Sequence, residues 1–427
     1  MPEAFAPSLA AAQARIAAVR PTDYARTRNA LDGAVTGLSP YVTHGFVSLT
    51  DVLAGVAARH QLHMQHKFVF ELGWRDYFRH VWQHRGEGIL RSLHAGPLPD
   101  GAYARTLPGD IRQGCTGVPV VDEAVRTLYG TGMLHNHARM WLASYVVHVR
   151  KVHWRAGADW LYGHLLDGDL ASNHLSWQWV AGTASRKPYL FNADNVARYA
   201  PAAWHSPGSV IDTSYEALHR MAHASMDPVA DERTRGGTRD GTNQTTRQPA
   251  QSLPGQDHAS PAAKTVLDPP LGGAPPAELH FTTPEAAAVT GRDVWLVHPW
   301  SLGPLPATLP AGTAVIGITL ADFHRAWPWS ERRWRFVGSR MAELADLRWQ
   351  GDAAAIGAAL AAARSVRSVA EPHLQPWLPR WADCAAAPAL FPNVDRRCDS
   401  FSQWWARVSR GLDSAADLLA VKQETAW

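Results

Sequence analysis

Three short runs near the middle of the chain concentrate its chemistry: HNHARM at 135–140, DGDLASN at 167–173 and WQW at 177–179. Asp167 and Asp169 flank a glycine, so two carboxylates share one flexible turn. Asn136 and Asn173 add amides that both donate and accept hydrogen bonds. Arg139 adds a planar cation, and Trp177 and Trp179 add two indoles. Such polar groups are costly to bury unless something hydrogen-bonds them. Cation, amide, carboxylate and indole held together suit a pocket for a large aromatic, phosphorylated ligand.

Helices must place these runs. Apolar residues recur at helical spacing between them, at Val121, Val125 and Leu128 and again at Leu142, Tyr145, Val146 and Val149, which puts the runs at helix ends. Another helix is expected over 64–83, where Glu71 and Trp74 are three apart and project from one face. Upstream, GAVTGLSPYVTHG at 33–45 is a loop rich in Gly, Ser, Thr and Pro, and Ser48 or Thr50 can cap the helix after it. Taken singly, each feature has an ordinary explanation. Asp-rich turns end many helices, Glu/Arg pairs often sit on solvated faces, and most tryptophans are core. His135 and His137 lie two apart, on different helix faces, and make a poor metal pair.

Together the runs are more specific. TGxPxVDxAxR, then HNxxRM, then DGDLAxNxxxWQW, with ELGWRDYFRH at 71–80 before them, resembles the flavin-binding helical domain of the cryptochrome/DNA photolyase family. The likeness runs over roughly residues 20–200. It implies an all-helical domain and FAD as cofactor. By this resemblance Tyr24, Thr36, Leu38, Ser39 and Arg75 hold the flavin phosphates or their surroundings. Arg139, Asp167 and Asp169 serve the ring and ribose, and Asn173 faces flavin N5. Glu71, Trp74, Asn136, Met140 and Trp179 line the pocket for a damaged base, with Trp74 and Trp179 stacking on it. Trp177 and Trp154 become the first two members of a photoreduction relay. Three departures stand out. Gly37 replaces the usual Arg of the phosphate loop, and His137 stands where repairing members commonly have Arg. No Trp lies between Trp82 and Trp141 to complete the relay, which leaves Tyr103, Trp160 or Trp141 as its outer member.

Composition sets further bounds. At 427 residues, 46% of them hydrophobic, the chain has room for two or three domains. Nineteen tryptophans are more than packing alone calls for. A net charge of +3 excludes neither nucleic acid nor an acidic partner. Three widely spaced cysteines argue for a reducing, cytoplasmic setting, and they cannot supply the four thiolates of an iron–sulfur cluster. No signal peptide or membrane span is expected.

The expected organisation is a helical FAD-binding domain over 1–225, a disordered linker over 226–280 and a small α/β, Rossmann-like domain over 281–427. The linker composition cannot bury enough apolar surface to order itself, and cleavage there should part the two units. DVWLVHPW, TAVIGITL and SVRSVAEP are the expected strands of the last domain, which distantly resembles the family's antenna domain moved to the other end of the chain. A single closing helix is expected near 399–420. No antenna chromophore is assigned. The favoured function is blue-light repair of cyclobutane pyrimidine dimers in single- or double-stranded DNA by a monomer. The alternative is a cryptochrome-like photoreceptor without repair.

Overall fold

The computed structural model describes residues 5–225 and 265–424. The first part is helical: α1 (Leu9–Ala18), α2 (Pro21–Thr27), α3 (Ser39–Thr43), α4 (Leu49–Ala57), α5 (Lys67–Arg85), α6 (Gly109–Arg112), α7 (Pro119–Thr131), α8 (Asn136–Ser144), α9 (Trp154–His164), α10 (Leu170–Ala181), α11 (Ala193–Tyr199) and α12 (Tyr215–His223). Local chemistry sets the boundaries. Ser48 and Asp51 form a capping box at α4, Asp169 caps α10, and α7 stops at Gly132, which is left-handed at φ 69°.

The second part holds strands β1 (Leu271–Gly272), β2 (Asp293–Val297), β3 (Ala314–Leu320), β4 (Trp329–Ser330), β5 (Leu347–Gly351), β6 (Ser365–Val369) and β7 (Asp383–Ala385). Between and after them come α13 (Ala321–Ala326), α14 (Glu331–Leu344), α15 (Ala353–Leu360), α16 (Phe401–Val408) and α17 (Ala415–Glu424). Five strands pair in parallel in the order β5-β3-β2-β6-β7, with Val294 opposite Ala314 and Val366. The first strand of this sheet is central and the chain winds away from it both ways, as in doubly wound α/β folds. All three expected strands are present. The expected closing helix is two helices, α16 and α17, broken by Gly411 at φ 73°.

Part of the expected linker, residues 226–264, lies outside the described residues. Its remainder is a correction, because 265–280 is fixed against both parts. Asp268 accepts a hydrogen bond from the Tyr129 hydroxyl at 2.9 Å, and Leu271–Gly272 pairs with β4. Its charge and its two strand residues find partners distant in sequence, which composition does not reveal.

The two parts also share a core. Tyr41 and Phe46 of the helical part pack on Phe336 of α14, with Phe46 and Phe336 stacked at 5.2 Å. The same apolar cluster runs from α1 and α4 through the sheet to α17. A second cluster is confined to α7–α11 and their flanks. Among the described residues no helix is long and apolar enough to cross a membrane.

Candidate functional site

α5 is the spine of the site. It starts where the His66 ring accepts from the Phe68 amide and runs to Gly86. Arg75 and Arg79 are one turn apart and face the same way. Arg75 donates to the Thr43 hydroxyl at 2.6 Å, and Thr43 reaches the Asp167 carbonyl at 3.3 Å. Arg79 reaches Asp169 at 3.1 Å and Glu371, after β6, at 2.9 Å.

The Asp-Gly-Asp turn needs its glycine. A Cβ at Gly168 would sit 2.5 Å from both the Arg333 guanidinium and the Tyr162 carbonyl oxygen. Arg333, on α14, donates to the carbonyls of Tyr162 at 3.0 Å and Gly168 at 2.5 Å. Asp169 Oδ1 accepts from the Ser172 amide at 2.9 Å, while its Oδ2 has the Arg79 ion pair. One turn on, Asn173 Nδ2 donates to the Ala158 carbonyl at 2.8 Å, which orients the amide and leaves Oδ1 as its acceptor. Arg139 straddles Asp167, 2.9 Å from each carboxylate oxygen.

Burial alone would raise both carboxyls. Arg139, together with the Ser39 hydroxyl and Arg75, instead holds Asp167 below the usual carboxylate range, and Arg79 with Arg75 holds Asp169 well below it. Burial also weighs on Arg75 and Arg79, yet Arg79 and Arg139 keep 26% and 24% of their side chains accessible. The two cations are thus mostly enclosed by protein and still partly open to solvent.

The structure therefore brings together Ser39, Arg75, Arg139, Asp167, Asp169 and Asn173. Thr36 caps its own loop, accepting from the Leu38 amide at 3.3 Å, and Leu38 is core. The loop's missing arginine has a spatial counterpart. The Arg15 guanidinium fills the space beside Gly37, 2.6 Å from where a Cβ would begin. Tyr24 packs edge-on against Phe68 at 5.7 Å.

The expected base pocket is less unified. Asn136 is exposed and lies 3.5 Å from the Met140 sulfur. Glu71 is held by Lys67 at 3.1 Å and Arg28 at 3.6 Å. Trp179 is 43% exposed beside Tyr189. One face of Trp74 is covered. Phe401 of α16 stacks on it at 4.1 Å and 13°. His137 bonds the Asn29 carbonyl and stacks on Trp141, so it serves packing at this position.

Trp177 is buried against Gly157, and Trp154 donates to Ser92 at 3.0 Å. Two aromatic paths lead outward from Trp154, through His153 to Tyr103 and through His174 to Trp327. Trp160 bonds Tyr129 instead, and Trp141 packs with His137 and Phe191. Sequence reasoning passed over Arg79, Arg333, Glu371, His373 and Trp327. Only Arg79 had a local signal, its place one turn beyond Arg75.

This cluster suits a phosphorylated aromatic cofactor: its guanidiniums would serve a diphosphate and its oriented amide a polar ring edge, with Trp177 buried one turn beyond Asn173. Residues 68–207 match the family model described as the FAD binding domain of DNA photolyase. The chain is 32% identical over 228 residues to a deoxyribodipyrimidine photo-lyase from Streptomyces griseus, covering 49% of this chain and 49% of that protein. It is 32% identical over 187 residues to a cryptochrome DASH, chloroplastic/mitochondrial, from Ostreococcus tauri, covering 42% of this chain and 34% of that one. A solved Synechocystis cryptochrome aligns at 29% identity with a TM-score of 0.40, covering 45% of this chain and 43% of that one. The chain spans about half the length or less of these relatives.

Proposed function

We propose that this chain, whose residues 68–207 are a photolyase-type FAD-binding domain, uses light to split cyclobutane pyrimidine dimers in DNA. The observation that supports the cofactor reading is the linked cluster of Arg75, Arg139, Asp167 and Asp169, with Asn173 one turn beyond Asp169. The photo-lyase relatives supply the substrate. FAD, when bound, would supply light-driven one-electron transfer. The protein's own work is holding and shielding.

Arg75, with Ser39 and Thr36 on the loop before α3, offers a cation and hydroxyls for the diphosphate. The Arg139–Asp167 pair keeps a charged edge beside the ring site. Asn173 Oδ1 stands ready to accept a proton-bearing ring nitrogen. Trp177 on α10 and Trp154 at the start of α9 are both buried and give a dry aromatic route outward. Asn136 and Met140 offer an amide and a thioether at the mouth. Glu71 meets Lys67 and Arg28 through Oε1, which leaves Oε2 to accept from a base. No side chain need act as nucleophile. The free cysteines suit a reducing cytoplasm.

Asp167→Ala and Asn173→Ala each remove a buried polar contact worth about 1–3 kcal/mol. FAD titration of the apoprotein should show the Kd rise by about 5- to 150-fold in each.

The Trp74–Phe401 stack supports the second reading, a photoreceptor, because it covers one face a flipped base would use. Illuminating the reduced holoprotein with a dimer-containing oligonucleotide decides between them. Restored pyrimidines support repair. Intact dimers, with a light-driven flavin spectrum, favour the photoreceptor.

A further inference from the structure

We propose that Glu371 and His373, which follow β6 in the α/β part, are positioning residues for the cofactor site and clamp the Asp169 turn through Arg79. This rests on the flavin reading above. The sheet places them. β2 and β6 lie side by side where the strand order reverses, and the crevice at their carboxyl ends is where doubly wound sheets receive ligands. Here that crevice faces the helical part, and its own side chains fill it.

The contacts close a ring. Arg79 bridges Asp169 at 3.1 Å and Glu371 at 2.9 Å. Glu371 meets His373 Nδ1 at 2.5 Å. His373 Nε2 accepts from the Leu170 amide at 3.4 Å, and Leu170 follows Asp169. An amide N–H at Nε2 requires a lone pair there, so the ring proton is on Nδ1 and points at Glu371. The neutral ring therefore satisfies both bonds. Its position is fixed by a stack on Trp300 at 4.3 Å and 10° and an edge contact with Trp82 at 4.8 Å.

Two consequences follow for the site. The clamp holds the first turn of α10, and with it Asn173 one turn further on. It also sets the local charge. Arg79 would otherwise give Asp169 a whole guanidinium, whereas Glu371 takes half of it. Burial alone would raise the Glu371 carboxyl, but Arg79 and His373 bring it down to about 2. A buried charge pair is no more stabilising than well-packed apolar side chains. Packing alone therefore does not call for a second carboxylate at Arg79, whereas charge setting does.

The full-length protein tests this in two ways. In the apoprotein, His373→Phe keeps the stack on Trp300 and loses both bonds. Amide exchange over residues 167–175 should quicken by at least about fivefold, with distant peptides unchanged. In the FAD-loaded protein, Glu371→Gln keeps the shape and removes the charge. The flavin midpoint potential should move to a more positive value. Asp293→Asn, at the far end of β2 and paired there with Arg364, should not shift it. Unchanged exchange over 167–175 overturns the clamp. Quickened exchange with an unmoved potential overturns the charge setting. Quickened exchange in a protein that takes up no FAD keeps the clamp and overturns the flavin reading.

Discussion

Between pH 7.5 and pH 5 two buried histidines should together cost the folded state about 4 kcal/mol, with carboxylates contributing little in that window. His148 and His164 are 2% and 3% exposed. Burial, with Lys151 and His223 beside the first, lowers His148 to about 4, and burial lowers His164 to about 4 despite Asp268. His148 donates from Nε2 to the Val180 carbonyl, and its buried Nδ1 has no partner to receive a second proton's charge. A pKa depressed on folding gives stability that is whole above the unfolded value of about 6.5 and is lost as pH falls toward the folded one. Each ring costs about 1.4 kcal/mol per pH unit in that window, or about 2 kcal/mol at pH 5. His135, lowered mainly by burial, adds in the same direction. The sum is a large share of a stability of about 5–15 kcal/mol. Urea unfolding at pH 7.5, 6 and 5 measures it, and His148→Phe should flatten the slope. A stability that stays level to pH 5 would show that these rings are protonated inside the fold.

The second large effect reverses a familiar sign. Gly→Ala inside a helix ordinarily gains up to about 1 kcal/mol. In α9, a Cβ on Gly157 would meet Trp177 at 2.3 and 2.4 Å. Trp177 is 2% exposed and cannot swing aside, so Gly157→Ala should cost about 1–3 kcal/mol of overpacking. Gly130 in α7 has nothing within 4 Å, and its replacement by Ala should be neutral or stabilising. Denaturant midpoints of the two variants should move apart. If Gly157→Ala matched Gly130→Ala, the close approach of Trp177 to α9 would be wrong.

What was readable beforehand was local. DGDLASN carries its turn, its cap and its amide within seven residues, and α5 displays Glu71, Trp74 and Arg75 on one face. Helical periodicity and β-rich runs likewise reported the two fold classes. The unread parts are pairings across distance. Nothing near Glu371 or His373 says that they meet Arg79 and Leu170, and nothing near Phe401 says that it covers Trp74. The polar run at 265–280 looked unable to order itself because its partners, Tyr129 and β4, lie elsewhere in the chain. Gly37 looked like a lost cation until Arg15 was found beside it.

The ring that joins Asp169 to Glu371 also constrains how the protein is made. Translation delivers Asp169 and Arg79 first, and Glu371 and His373 only roughly 200 residues later, a delay of about 10–40 s at 5–20 residues per second. Phe336 and Phe401, which cover Phe46 and Trp74, arrive in the same late stretch. A nascent chain thus carries an uncovered aromatic face and an incompletely balanced arginine out of the ribosome. The contacts that complete the helical part, from Glu371, Phe336 and Phe401, can therefore form only after the later stretch has been made.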